Sequence, residues 1–109
     1  MSAGVALTDS TFDEFVRSSD LPVLVDFWGA WCQPCKQLDP ILTALADDDR
    51  RFVVASVDVD SNMALVQRFG VTSAPTLVLL REGETVWRTV GARSRSRLAD
   101  DLEPHLVTS

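Results

Sequence analysis

Val23-Leu24-Val25-Asp26-Phe27-Trp28 is a nearly continuous apolar run of strand length. A strand without polar alternation is buried on both faces, so it belongs in the middle of a sheet with helices on either side. Gly29-Ala30 breaks the run, and the pattern then changes period. A long helix is expected over about residues 32–46, with Leu38, Ile41, Leu42 and Leu45 on one face. Pro34 falls in its first turn, where a missing N–H is tolerated. Pro40 falls in its interior, removes the hydrogen bond to the Lys36 carbonyl and is expected to kink it.

The rest of the chain punctuates in the same way. Val5-Ala6-Leu7 is a short edge strand. Thr8-Asp9-Ser10 offers helix caps, with Asp13 three residues after Ser10, and Phe12, Phe15 and Val16 set a short helix ending near Ser18. Asp47-Asp48-Asp49-Arg50-Arg51 reads as a solvated turn and residues 52–59 as a second buried strand. Asp60-Ser61-Asn62 precedes a helix over 64–69 that Gly70 ends. After a loop, residues 76–80 and 85–90 form a hairpin around Glu82-Gly83-Glu84, and Gly91 ends it. Ser94 or Ser96 caps a last helix that turns Leu98, Leu102 and Leu106 inward. The order βαβαβαββα predicts an α/β fold: a central mixed β-sheet flanked by helices, parallel except for the closing hairpin.

A length of 109 residues, 46% of them hydrophobic and 24% charged, fits one globular domain over 1–109. The net charge of −6 argues against nucleic acid or an anionic membrane as partner. Lys36 is the only lysine. Arg88, Arg93, Arg95 and Arg97 read as the solvated edges of a strand and a helix rather than as an anion site. No apolar run approaches membrane-spanning length. Met1-Ser2-Ala3-Gly4 carries no basic segment leading into an apolar stretch, so a cytoplasmic location is expected.

In a reducing compartment, the position of the only two cysteines, Cys32 and Cys35, points to chemistry rather than to a staple. Residues three apart on a helix have Cβ atoms roughly 5–6 Å apart, against about 3.5–4.5 Å in a disulfide. A small adjustment in a first turn closes that gap, so dithiol and disulfide are both accessible. Cys32 meets the free N–H groups and positive end of the helix, which favour a thiolate. As the more exposed member it is the expected attacker, and Cys35 would resolve the mixed disulfide. Zinc needs about four ligands, and His105 is the one further soft ligand, so a metal site would require two chains to share it. A structural bridge closing so short a loop would stabilise little. Two unrelated core cysteines would leave Trp31 and Pro34 unexplained.

Asp26 is an acid inside the buried run, on the strand face of Leu24 and Trp28. Desolvation raises a carboxyl pKa, and such a group can take the proton of Cys35 as it attacks. The plainer alternative is a carboxylate near water that only aids solubility.

With Val25-Asp26-Phe27-Trp28 followed by Trp31-Cys32-Gln33-Pro34-Cys35-Lys36, with Pro40, Ala74-Pro75-Thr76, Gly83 and Gly91-Ala92 in order, the chain resembles the thioredoxin family over nearly its whole length. The resemblance implies the thioredoxin fold and a thiol–disulfide oxidoreductase that reduces protein disulfides, with no bound cofactor or metal beyond the Cys32–Cys35 pair. It implies that Pro75 is cis, faces the cysteines and excludes metal from them. It also implies that the Ala74 backbone pairs with an extended substrate, and that Trp31 shields Cys32. Gln33 and Pro34 lie on the interaction rim, and Gly91 and Ala92 flank the substrate groove. The implied partners are protein disulfide substrates and an NADPH-dependent thioredoxin reductase, with no nucleic acid, no membrane and a monomeric state.

Two departures stand out. Gln33 replaces the usual glycine, where a side chain bears on substrate choice or redox potential. Ser56 replaces a buried lysine often found near the acid. Without that cation, Asp26 is expected to be buried, to lack a Lys or Arg partner and to be predominantly protonated near neutral pH. The competing readings are a redox-inactive binding module built on a Trp-rich patch, against which the intact cysteine pair argues, and a secretory oxidase or isomerase. Relatives of the latter kind tend to carry His before the second cysteine, where this chain has Pro34.

Overall fold

The computed structural model describes residues 3–107. Met1 and Ser2, read above for a targeting leader, lie outside the described residues. The elements follow the expected order: β1 (Val5–Ala6), α1 (Phe12–Ser18), β2 (Val23–Trp28), α2 (Gln33–Asp48), β3 (Val53–Asp58), α3 (Met63–Arg68), β4 (Thr76–Arg81), β5 (Glu84–Val90) and α4 (Arg95–Leu106). The five strands form one sheet in the order β1-β3-β2-β4-β5.

β2 is the middle strand, parallel to β3 and antiparallel to β4. Its alternation distributes the two cores. Leu24 packs with Leu38, Leu42, Leu77, Leu79, Leu98 and Leu102 beneath α2 and α4. Val23, Val25 and Phe27 pack with Phe12, Leu65, Val78 and Leu80 beneath α1 and α3. On that second face the Phe12, Phe27 and Phe69 rings meet edge-on or tilted, with centroids 5.4 and 5.6 Å apart. Asp26 takes its place on the first face, among leucines.

The expected parallel entry of β4 is not what forms. The chain leaving β3 crosses over at the end where β3 finished, and β4 begins opposite Phe27 and runs antiparallel to β2. The start of β4 consequently lies where β2 hands over to the cysteine loop.

The caps also differ from expectation. α1 starts after Thr11 with no side-chain cap from Ser10. Asp9 instead reaches across to α3, where its carboxylate accepts from Leu65 N at 3.0 Å and Ala64 N at 3.3 Å. Asn62 accepts from Asp9 N at 2.9 Å and donates to the Asp58 carbonyl at 3.0 Å. An acid from one loop thus caps the helix of another and opposes its positive end. Asp9→Ala is expected to cost about 1 kcal/mol of stability, read as a lower urea midpoint with an unchanged slope. α2 runs two residues past the expected limit, to Asp48, and continues through Pro40. The hairpin turn places Glu82 at φ 53° and Gly83 at φ 82°, the paired positive angles of a tight two-residue turn.

Candidate active site

The site gathers at the C-terminal end of β2. Trp28 ends the strand, and Cys32 N donates to the Gly29 carbonyl at 3.0 Å, closing a tight turn. Cys32 is the N-cap of α2, with extended backbone angles, and its Sγ accepts from Cys35 N at 3.2 Å. A sulfur thus fills the role that a Ser or Asp oxygen plays at most caps. Pro34 stands in the first turn, where no N–H is missed. The two cysteines are joined by a disulfide, with Cα atoms 5.3 Å apart, inside the range such a bond needs.

Exposure does not separate the two cysteines as expected, since each is 3% accessible. What separates them is position. Cys32 sits at the helix end, receiving an N–H and the positive pole, whereas Cys35 lies inside the first turn. Negative charge on sulfur is therefore favoured at Cys32.

Gly29 is small for a reason: a Cβ there would lie 2.6 Å from Cε2 of Trp31. The indole lies against this glycine and donates from Nε1 to Asp60 at 2.9 Å. It remains 63% exposed, presenting an apolar face beside an exposed Gln33 and Pro34. Asp60 was read from the sequence only as part of a helix start. Its link to Trp31 spans 29 residues and is invisible without the fold.

The opposite wall comes from β4 and β5. The Ala74–Pro75 peptide is cis, and Pro75 is buried one residue before the point where β4 pairs with Phe27. Gly91 N donates to the Pro75 carbonyl at 2.8 Å, with Gly91 at φ 95°. Thr76 Oγ1 donates to the Ser73 carbonyl at 2.7 Å, fixing the loop from its other side. Ala74, Pro75, Gly91 and Ala92 therefore collect at the same sheet end as Trp31, Cys32, Gln33 and Cys35.

His105 does not join them. Its carbonyl accepts from Arg81 at 2.9 Å, and Arg81 ends β4 at the far edge, beside the residue that pairs with Val23. Among the described residues, no group of three or more His, Cys, Asp or Glu is placed to hold a metal. Of the four clustered arginines, three have structural duties. Arg88 donates to the Phe69 and Gly70 carbonyls at the end of α3, Arg93 pairs with Asp101 at 3.1 Å, and Arg95 pairs with Asp48.

Asp26 is completely buried, and neither carboxylate oxygen meets a hydrogen-bond partner among the described residues. Burial, followed by the charge of Asp39, pushes its pKa up from 3.8 to about 7. The shift is in the direction expected above, and it brings the titration of Asp26 into the neutral range. A group that changes protonation near pH 7 inside an apolar core is suited to take up and release a proton at neutral pH. Ser56 lies beside it in register and is itself buried.

The thioredoxin family model matches residues 3–104. The chain is 40% identical to thioredoxin 1 of Nostoc sp. (strain PCC 7120 / SAG 25.82 / UTEX 2576), covering 97% of this chain and all of that protein. It is 43% identical to the thioredoxin of Mycobacterium bovis (strain ATCC BAA-935 / AF2122/97), covering 93% of this chain and 88% of that protein. It also matches the bifunctional thioredoxin reductase/thioredoxin of Mycobacterium leprae (strain TN), at 44% identity over 93% of this chain and 23% of that protein.

Proposed function

The chain belongs to the thioredoxin family and is a thiol–disulfide oxidoreductase working through its Cys32–Cys35 pair; from there we propose the division of labour within the site. Cys32 is the nucleophile, Cys35 the resolving thiol and Asp26 the proton acceptor. The observation that carries this reading is the cap: Cys32 Sγ takes the Cys35 N–H at the positive end of a helix of 16 residues.

In the forward direction the Cys32 thiolate attacks one sulfur of a substrate disulfide. The substrate S–S bond breaks, one substrate sulfur leaves and is protonated, and a Cys32–substrate bond forms. Cys35 then gives its proton to the Asp26 carboxylate, and its sulfur attacks Cys32. The mixed disulfide breaks, the second substrate thiol leaves, and the chain is left oxidised. Two electrons have passed to the substrate.

The exposed face of Trp31, with Gln33 and Pro34, forms one side of the substrate surface. The Ala74 backbone accepts an extended peptide as an added strand, with Pro75, Gly91 and Ala92 shaping the groove. Reduction back to the dithiol falls to an NADPH-dependent thioredoxin reductase, a partnership supported by the M. leprae protein that names both activities. We place the protein in the cytoplasm as a monomeric domain. No helix among the described residues is long and apolar enough to cross a membrane.

The test is reduction of insulin disulfides by dithiothreitol, with and without the protein. The wild-type chain is expected to accelerate it and Cys32→Ser to leave the uncatalysed rate. If the wild type is as inactive as the variant, the redox-inactive binding module takes its place.

A further inference from the structure

The two cysteines are equally shielded, at 3% accessible each, but a cleft leads to the second of them. It measures about 190 Å³ and is lined by Trp28, Gly29, Ala30, Cys35, Lys36 and Asp39. Cys32 is not part of its wall. Helix geometry sets the direction of the cleft. Asp39 lies about 6 Å further along the axis of α2 than Cys35, whereas Cys32 precedes Cys35 at the helix start. The helix-side wall therefore runs from Cys35 away from Cys32. A nucleophile in the cleft reaches the Cys35 sulfur from the Asp39 side, opposite the disulfide partner.

Which sulfur leaves matters as much as which one is reached. Attack at Cys35 expels Cys32, whose Sγ accepts the Cys35 N–H at 3.2 Å at the positive end of the helix. Attack at Cys32 would expel Cys35 from inside the first turn. A sulfur whose negative charge is stabilised is the faster leaving group, so the open side and the favoured leaving group agree. Size and charge then limit what enters. The cleft has room for roughly six waters at about 30 Å³ each, enough for a thiol of a few heavy atoms and too little for a peptide segment. Lys36 is exposed at the rim and draws an incoming thiolate, while the half-buried Asp39 turns away one that carries carboxylates of its own.

We propose that this cleft admits small thiols without carboxylates to Cys35, giving the oxidised pair a route back to the dithiol that a large reductase does not use. This rests on the reading of Cys32 as the stabilised thiolate. A small thiolate attacks Cys35 Sγ, the Cys32–Cys35 bond breaks, and Cys32 leaves with the electron pair. The small sulfur is now bonded to Cys35. A second small thiolate attacks that outer sulfur, a small disulfide departs, and Cys35 leaves as a thiolate that takes a proton. Two electrons have entered the chain and two small thiols have become one disulfide. Of the two protons those thiols lose, one ends on Cys35 and the other in water.

Access is tested first on single thiols. Cys32→Ser leaves Cys35 alone and Cys35→Ser leaves Cys32 alone. Each is treated with methyl methanethiosulfonate and with the bulkier dithiodipyridine, and the ratio of the two rates cancels the intrinsic reactivity of each thiol. The ratio favouring the small reagent is expected to be about tenfold larger at Cys35 than at Cys32. Equal ratios overturn the proposal. Reduction of the oxidised wild-type chain by 2-mercaptoethanol is then compared with that of Ala30→Leu, which fills the cleft from an exposed position, and of Ala30→Gly, which widens it. Ala30→Leu is expected to slow this reaction about tenfold and Ala30→Gly to keep or raise the rate, while both begin insulin reduction from the dithiol form at the wild-type rate. An unchanged 2-mercaptoethanol rate in Ala30→Leu, or an equal loss in both variants, overturns the proposal. If the wild type does not reduce insulin, the reading as a protein-disulfide reductase falls, and the reaction with 2-mercaptoethanol still decides whether the cleft serves Cys35.

Discussion

Cys35→Ser is expected to hold a disulfide substrate as a covalent adduct on Cys32 and to lose catalytic turnover, while Cys32→Ser holds no adduct at all. The difference comes from where the helix begins. Cys32 caps α2 and its sulfur receives the Cys35 N–H at 3.2 Å, so charge on that sulfur is stabilised before any substrate arrives. Cys35 has no such place. It lies within the first turn, beside the cleft it shares with Asp39. Attack by Cys32 needs only Cys32, but release needs a second thiol. A serine hydroxyl at 35 cannot open the mixed disulfide, so the bond persists until an external thiol breaks it. The check is a non-reducing gel after incubation with insulin, in which the adduct disappears on adding dithiothreitol. An adduct formed by Cys32→Ser and not by Cys35→Ser would reverse the two roles.

Asp26→Ala is expected to stabilise the protein, and to do so more strongly as the pH rises. The folded pKa of Asp26 is about 7 against an ordinary value of 3.8, with burial as the leading cause. Folding therefore favours the protonated acid. Below about pH 4 the group is neutral in both states and carries no penalty. Between about pH 4 and 7 the unfolded chain releases the proton while the folded one keeps it, so stability falls. Above about pH 7 the penalty is complete, at about 4 kcal/mol from about 1.36 kcal/mol per pH unit. Alanine removes it and leaves a small cavity in return, for a net gain of roughly 2–4 kcal/mol at pH 8. Urea unfolding of both proteins at pH 5.5 and pH 8 is the measurement. The gain should be about 2 kcal/mol larger at pH 8, and a gain independent of pH would show that Asp26 does not titrate where its burial places it. On the proposed role of Asp26 as proton acceptor, the same substitution is expected to slow the resolving step.

Much of the fold can be read along the chain because it is written in local periods. The bounds of β2 coincide with the apolar run that announces it. Gly70 and Gly91 stop their elements at positive φ, and Ser94 caps α4 by accepting from Arg97 N at 3.2 Å. Leu98, Leu102 and Leu106 face inward because their spacing puts them on one side of a helix. The antiparallel entry of β4 was not legible in this way. It depends on the end of the sheet at which the chain re-enters after α3, and no single window of sequence holds that information. Asp9 misled for a related reason. A capping acid is recognised beside its own helix, whereas this one serves a helix more than fifty residues away.

The site divides along the same line. Trp31-Cys32-Gln33-Pro34-Cys35 is contiguous, and the chemistry of a thiol at a helix end follows from neighbours a few residues apart. The meeting of that loop with Pro75 and Gly91, the seat of Trp31 against Gly29 and Asp60, and the isolation of His105 depend on which strands lie side by side. So does the state of Asp26. A carboxyl within an apolar run is plainly visible along the chain, but its degree of protonation is set by what the folded core withholds from it and by Asp39, thirteen residues on, across the space between a strand and a helix. Desolvation and through-space charge are properties of the packed molecule, and only packing brings those groups together.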